Sequence, residues 1–91
     1  MTEKDLCCGT VVQHFKRGLL TEAERAAGTK YLYEILGTAL HTETREKLVI
    51  YRALYDGGEI FARPLDMFLS ETDKEKYPEA TQKFRFERVT K

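Results

Sequence analysis

The strongest limit on the fold of this chain is a hairpin sequence in residues 47–69. Two runs rich in branched and aromatic side chains, residues 48–55 and 60–63, flank the turn sequence Asp-Gly-Gly at 56–58. Aspartate and glycine accept the positive φ angles of a tight reversal, so the second run is predicted to pair with the first. Pro64 cannot donate a ladder hydrogen bond and is predicted to end the pairing.

Three further segments are predicted to be strands of the same sheet: residues 10–15, 31–41 and 83–89. In the second of these, alternation predicts two largely apolar faces. One face would carry Tyr33, Ile35, Ala39 and His41, and the other Leu32, Leu36 and Leu40. Gly37 in mid-strand predicts a bend or a β-bulge. In the last strand, Phe84 and Phe86 alternate with charged residues, which is typical of a strand with one buried face.

Helical signals are short and local. Thr21 and Glu24 have the spacing of a capping box, and Gly28 is a stop signal, so a short helix is predicted within residues 19–28. One helical turn is predicted at 65–69, with Leu65, Phe68 and Leu69 on the end of the barrel. Residues 1–9 have no period and are expected to be a frayed lead-in, and the polar residues 70–82 are expected to be an exposed loop.

These elements predict a mainly β protein, a small five-stranded barrel of the SH3-like kind with one short inserted helix and a helical turn before the last strand. A chain of 91 residues forms a single domain, residues 1–91, because it cannot divide its core between two. Closure is favoured because an open sheet of this size leaves edges prone to intermolecular pairing. A barrel of the oligonucleotide-binding type is the alternative.

Charge and cysteine content limit the partners. Fifteen basic and fifteen acidic residues give zero net charge, which disfavours nucleic acid without excluding a local basic patch. The adjacent Cys7 and Cys8 are too few for a disulfide framework or a structural zinc site, and no apolar signal segment precedes them. We therefore expect a cytoplasmic protein with reduced thiols, no cofactor and no membrane association, acting as a monomer or weak homodimer.

Several short motifs resemble a known family. They are His14-Phe15-Lys16, Tyr33-Glu34-Ile35-Leu36-Gly37, His41-Thr42-Glu43-Thr44, Val49-Ile50-Tyr51, Ala53-Leu54-Tyr55 and Arg63-Pro64-Leu65-Asp66-Met67-Phe68. The set is similar to the bacterial family catalogued as domain of unknown function 1653, and the resemblance covers most of residues 12–71. It implies a short, β-rich cytoplasmic protein and no defined activity.

Two positions depart from the family pattern. Residues 19–29 are inserted where the family usually passes directly into the next strand, and Phe61 stands where the family commonly has tryptophan. Phenylalanine keeps an aromatic surface but lacks the indole N–H donor, so a hydrogen-bonding role of this ring is not carried over.

The two histidines suggest one candidate site. If the first two strands pair, His14 and His41 could approach each other, and Glu43 follows two residues later. Two imidazoles and a carboxylate can ligate zinc or iron, so a metal-assisted enzyme around these residues is one hypothesis. The favoured interpretation is that His41 and Glu43 organise the turn at 42–46 through side-chain to backbone hydrogen bonds.

A second candidate site surrounds the hairpin and its exit. Arginine beside aromatic rings can stack on a planar ligand or pair with a carboxylate or phosphate. The favoured interpretation of Arg63 itself is structural, as a tie between the hairpin and the helical turn. The sequence assigns no function; a non-enzymatic module that binds a peptide or a small planar or anionic ligand is the leading hypothesis, with a structural homodimer as a further alternative. The candidate binding residues are Tyr51, Tyr55, Phe61, Arg63 and Met67.

Overall fold

Five antiparallel strands form one sheet in the order β4-β3-β2-β1-β5. The computed structural model describes residues 3–89. The strands are β1 (Val11–His14), β2 (Leu32–Leu40), β3 (Lys47–Ala53), β4 (Ile60–Pro64) and β5 (Phe86–Arg88), and two short helices are α1 (Glu22–Ala27) and α2 (Leu65–Phe68). The prediction of a mainly β fold with five strands is confirmed, although most strands are shorter than their predicted bounds.

The predicted hairpin is present as β3 and β4, with Tyr51 paired to Phe61. Asp56, Gly57 and Gly58 all have positive φ, as the turn sequence requires. The strand β3 ends at Ala53, before the predicted end at residue 55. The Ala53 N–H donates to the carbonyl of residue 59 at 2.9 Å, and the chain then leaves the ladder.

A β-bulge divides β2 and changes which residues face the core. The register steps from Ile35 opposite Tyr51 to Gly37 opposite Ile50, which leaves Leu36 as the extra residue. This confirms the bend predicted at Gly37. The prediction of two continuous apolar faces is wrong, because the extra residue reverses the alternation and the strand beyond it, including Leu40, is exposed.

The inserted helix α1 begins with the predicted capping box. The Glu24 N–H donates to Thr21 Oγ1 at 3.1 Å, and the Thr21 N–H donates to Glu24 Oε1 at 2.9 Å. Hydrogen bonding of the Glu24 carboxylate to the Thr21 backbone N–H, and then to the Thr21 side chain, favours the charged form and lowers the pKa of Glu24. The Arg17 guanidinium donates to the Lys30 carbonyl at 2.8 Å, which fastens the far end of the insertion to the turn before it.

The core lies between the sheet and α2. Phe68 of α2 stacks on Phe86 of β5, with ring centroids 4.1 Å apart and planes at 5°. Leu6 also belongs to this buried cluster, so the lead-in is packed at one point and differs from the frayed segment expected for residues 1–9. Residues 1 and 2 of that segment lie outside the described part of the chain.

Residues 70–82 form an irregular segment that is less exposed than expected. Three of its side chains are buried, those of Thr72, Ala80 and Gln82. Gln82 Nε2 donates to the carbonyls of Phe84 at 2.8 Å and Gln13 at 3.1 Å. A segment whose composition is polar therefore packs against β1, because its side-chain amide satisfies backbone carbonyls there.

The sheet is strongly curled, and its two edge strands meet through side chains. Within residues 3–89 no backbone ladder joins β4 to β5. The side chain of Arg63 on β4 nevertheless lies over the ring of Phe86 on β5, with Cζ 5.6 Å from the ring centroid. Backbone pairing thus does not provide the predicted barrel closure in the described part of the chain.

Candidate functional site

The curl of the sheet leaves a cavity of about 210 Å³ where the edge strands approach each other. Its walls are mainly aromatic, and three nitrogen-bearing side chains complete them. The aromatic residues are Tyr31, Tyr33, Tyr51, Phe61 and Phe86. The nitrogen-bearing residues are His14, Lys16 and Arg63. We call this cavity the aromatic cleft.

Strand register places the aromatic walls. Tyr51 and Phe61 are cross-strand partners on β3 and β4, with ring centroids 5.7 Å apart. Phe86 pairs with His14 across β5 and β1, and their rings meet edge to face at 5.0 Å. The Tyr33 ring contacts Phe86 at 5.7 Å and bridges the two groups. Edge-to-face contacts of this kind stabilise an aromatic wall beyond its buried area.

Arg63 spans the cleft between the two edge strands. Its Nε–H donates to the Tyr51 hydroxyl at 3.2 Å, and its guanidinium lies over Phe86. The backbone before Pro64 is held extended, which directs the side chain across the sheet. The sequence predicted that Arg63 ties the hairpin to the helical turn, α2. The hydrogen bond and the ring contact of its side chain are instead with β3 and β5.

His14 is 9% exposed and sits between the aromatic wall and the cations. Its Nδ1 accepts the Lys16 N–H at 3.2 Å, so in the neutral ring the proton is on Nε2. Burial, with smaller contributions from Lys16, Arg63 and Arg85, lowers the pKa of His14 to about 4. The ring is therefore neutral at pH 7 and carries an N–H donor.

A second cavity of about 250 Å³ adjoins the first and shares His14, Lys16 and Arg63 with it. Lys76 and Arg85 add two further cations to its lining. Phe15, Asp73 and Tyr77 complete this lining. We call this cavity the basic cleft.

Two of the predicted binding residues lie outside the aromatic cleft. The Tyr55 hydroxyl is hydrogen-bonded to the Tyr33 hydroxyl at 2.5 Å, so Tyr55 helps to position the Tyr33 ring without lining the cleft itself. Burial, and then this hydrogen bond, raise the pKa of Tyr33, so its hydroxyl stays protonated. Met67 is exposed on α2 and lines neither cleft. The predicted residues Tyr51, Phe61 and Arg63 do come together.

The structure does not bring His14 and His41 together into one site. His14 ends β1 opposite the start of β2, whereas His41 follows the far end of β2. Nine strand residues at about 3.3 Å each separate them by roughly 30 Å. Instead, His41 Nδ1 accepts the N–H groups of Glu43 at 3.1 Å and Thr44 at 3.2 Å, which organises the turn. Within residues 3–89 no group of three potential ligands can hold a metal ion.

Sequence reasoning did not assign Lys16, Phe86 and Arg85 to a site. Lys16 entered only as part of the motif at 14–16, and Phe86 only as part of a strand with one buried face. No local sequence pattern predicts that the two edge strands approach each other, because this contact depends on how far the whole sheet curls. Tyr33 was predicted only as part of one face of the strand at 31–41.

The fold and the site define a small antiparallel β protein with an aromatic cleft beside a basic one. The chain belongs to the family described as protein of unknown function (DUF1653), whose model matches residues 10–88. This match extends beyond residues 12–71, where the motifs were apparent, to include the 70–82 segment and β5. Neither the curated proteins nor the solved structures contain a match. No helix in residues 3–89 is long and apolar enough to span a bilayer.

Proposed function

We propose that this protein is a non-enzymatic binding module whose aromatic cleft holds a small ligand with a planar ring and an anionic group. The observation that carries the proposal is the pairing of aromatic walls with two cations, Lys16 and Arg63, in a cavity that no carboxylate of residues 3–89 lines. A flat ring can stack on Phe61, which is 38% exposed, and the Arg63 guanidinium can donate hydrogen bonds to its carboxylate or phosphate.

Local charge supports an anionic ligand although the chain is neutral overall. None of the ion pairs formed within residues 3–89 includes Lys16 or Arg63. The neutral His14 ring can add a hydrogen-bond donor without adding a charge that must be desolvated. Positive charge is thus concentrated at one place, where it raises the local concentration of anions.

We further propose that the curled sheet acts as an SH3-like barrel closed by side chains. Phe86 supports this proposal, because it contacts Arg63 of the opposite edge strand and Phe68 of the helix between them. The cleft lies at this closure, where a ligand can touch both edge strands. Binding would then stabilise the closed form of the sheet through linkage.

A cytoplasmic location fits the thiols. Cys7 and Cys8 are both exposed and unpaired, which suits a reducing compartment. Protein labelled with a membrane-impermeant thiol reagent in intact and lysed cells would test this. We expect both thiols to react only after lysis, and reaction in intact cells would contradict the proposal.

The binding proposal is tested by amide NMR titration of the ¹⁵N-labelled chain with benzoate and with benzamide. Benzoate combines a ring with a carboxylate, and benzamide is its neutral counterpart. We expect benzoate at millimolar concentration to shift amides of Tyr51, Phe61 and Arg63, and benzamide to shift them much less. Equal responses, or shifts confined to other surfaces, would contradict an anion-binding cleft.

The matched variants for this titration are Phe61→Ala and Ile60→Ala. Phe61 lines the cleft, while its neighbour Ile60 is 60% exposed and does not. Truncation of Phe61 removes a stacking surface worth about 1–3 kcal/mol per ring, so benzoate affinity should fall about tenfold or more. Ile60→Ala should leave it unchanged.

A further inference from the structure

The basic cleft concentrates cations that have no anionic partner. Four cationic side chains line it: Lys16, Arg63, Lys76 and Arg85. None takes part in the ion pairs formed within residues 3–89. Its single acidic residue, Asp73, accepts the N–H groups of Glu75 at 3.1 Å and Lys76 at 3.2 Å, so this carboxylate organises its own turn.

These cations are held in place. Arg85 Nε donates to Ser70 Oγ at 3.2 Å, and the Arg85 N–H donates to the Ser70 carbonyl at 2.9 Å. The Nζ atoms of Lys16 and Lys76 lie 5.8 and 5.7 Å from the centroid of the same ring, that of Tyr77. Like charges that converge in this way repel one another, and a bound anion would relieve the repulsion.

We propose that the basic cleft is a phosphate subsite, and that the ligand of this protein is a planar heteroaromatic ring bearing a phosphomonoester, as in a nucleotide. This inference rests on the proposed function of the aromatic cleft. A phosphomonoester carries a charge of about −1.5 to −2 and three acceptor oxygens, which matches several converging cations better than a single carboxylate does.

The geometry of the two clefts indicates a ligand in two parts. Each cavity is smaller than the roughly 300–1,000 Å³ that encloses a drug-sized ligand. Lys16 and Arg63 line both the aromatic cleft and the basic cleft, so these side chains separate two adjoining cavities. A ring in the aromatic cleft and a phosphate in the basic cleft would share the Arg63 guanidinium.

The test uses the full chain, ¹⁵N-labelled, titrated with adenosine 5′-monophosphate, adenosine and inorganic phosphate. We expect the monophosphate to shift amides in both clefts and to bind at least tenfold more tightly than adenosine. Inorganic phosphate should shift Arg85 and Lys76 and should compete with the monophosphate. A 5′-phosphorylated trinucleotide distinguishes the sources: binding more than tenfold tighter than the monophosphate indicates a nucleic acid end, and otherwise the ligand is a free nucleotide.

The variants Arg85→Gln and Lys76→Gln remove one cation each and should weaken monophosphate binding about tenfold, with adenosine binding unchanged. Lys76 is exposed, so its variant tests the subsite even if loss of the Arg85 contact to Ser70 perturbs the fold. Lys83→Gln is the matched control, since Lys83 is an exposed lysine outside both clefts.

The outcomes separate the two proposals. If adenosine and its monophosphate bind equally, or if Lys76→Gln and Arg85→Gln behave like Lys83→Gln, the phosphate subsite is refuted. The aromatic cleft then still stands if benzoate shifts Tyr51 and Phe61. If neither benzoate nor the monophosphate shifts residues of the aromatic cleft, both proposals fail together.

Discussion

The Arg63 guanidinium lies over the Phe86 ring, 5.6 Å from its centroid, and so connects the two strands at opposite edges of the sheet. The same side chain donates to the Tyr51 hydroxyl on the neighbouring strand β3. One residue therefore both holds the curl of the sheet and presents a cation to the cleft that the curl creates. We therefore expect Arg63 to contribute both to the stability of the fold and to ligand binding, and variants can measure the two contributions separately.

Replacement of Arg63 by lysine should lower the free energy of unfolding by about 1–2 kcal/mol. Lysine keeps the charge but loses the Nε–H donor and the flat guanidinium over Phe86. Arg52→Lys is the control, because the one ion pair of Arg52 within residues 3–89 is a partly exposed pair with Glu34, and the change should cost less than about 0.5 kcal/mol. Urea unfolding measures both, and equal midpoints would show that Arg63 does not hold the edge strands together.

The stability of the protein should fall with acidity between pH 6.5 and pH 4. The folded-state pKa of His14 is depressed from 6.5 to about 4, so in this window the unfolded chain binds more protons than the folded one. The stability contributed by neutral His14 is fully present above pH 6.5 and is lost as pH falls toward 4. Because the ring borders an open cleft, solvent reduces the effect to about 1–2 kcal/mol.

Urea unfolding at several pH values measures this dependence. The variant His14→Asn keeps a side-chain acceptor for the Lys16 N–H but cannot titrate, so it should flatten the profile. His41→Asn controls for the other histidine and should retain the slope. A profile that His14→Asn leaves unchanged would assign the acid sensitivity to other groups.

Two phenylalanines near the cleft should differ sharply in their effect on stability. Phe68 is fully buried, whereas Phe61 is 38% exposed. Phe68→Ala should cost about 3–5 kcal/mol, a large part of the roughly 5–9 kcal/mol available to a chain of this length. Phe61→Ala should cost about 1 kcal/mol. Urea unfolding of the two variants measures these losses of stability. If the two variants lose similar stability, Phe61 is a core residue and not a surface for ligands.

The hairpin turn gives a prediction on backbone conformation. Gly57 has φ +87°, and a Cβ added there would meet no atom within 4 Å, so Gly57→Ala tests conformational strain alone. It should destabilise the protein by about 1 kcal/mol or more. Gly28 has φ 177° and is equally open, so Gly28→Ala should be neutral or stabilising by up to about 1 kcal/mol. Thermal melting should show a lower midpoint for Gly57→Ala and an unchanged or higher midpoint for Gly28→Ala, and equal losses would contradict the role of positive φ.

Local features of the fold could be predicted because their causes are close in sequence. The turn at 56–58 follows from residues that accept positive φ, and the start of α1 from two side chains three positions apart. The bulge at Gly37 was predictable. Its effect was not, because the in-and-out alternation of side chains was assumed to continue past the bulge, whereas the extra residue reverses which side chains face the core. Burial of Leu6 gives no periodic signal, since it is the one branched aliphatic residue of the sequence 1–9.

The site could be predicted only in part. Tyr51, Phe61 and Arg63 were found because a hairpin places them side by side. Lys16 and Arg85 come from other segments, and their approach depends on the curl of the sheet and on packing of the 70–82 loop. Contacts between distant segments of this kind leave no pattern in a single sequence. The basic patch was therefore invisible against a balanced overall charge.

The placement of the tyrosines has an optical consequence. The chain has five tyrosines and no tryptophan. Tyr31, Tyr33 and Tyr51 line the aromatic cleft, Tyr77 lines the basic cleft, and Tyr55 is hydrogen-bonded to Tyr33. Every tyrosine of the protein thus lies in or beside the two clefts. Tyrosine emission of the unlabelled protein therefore reports on their occupancy, and no tryptophan emission masks it.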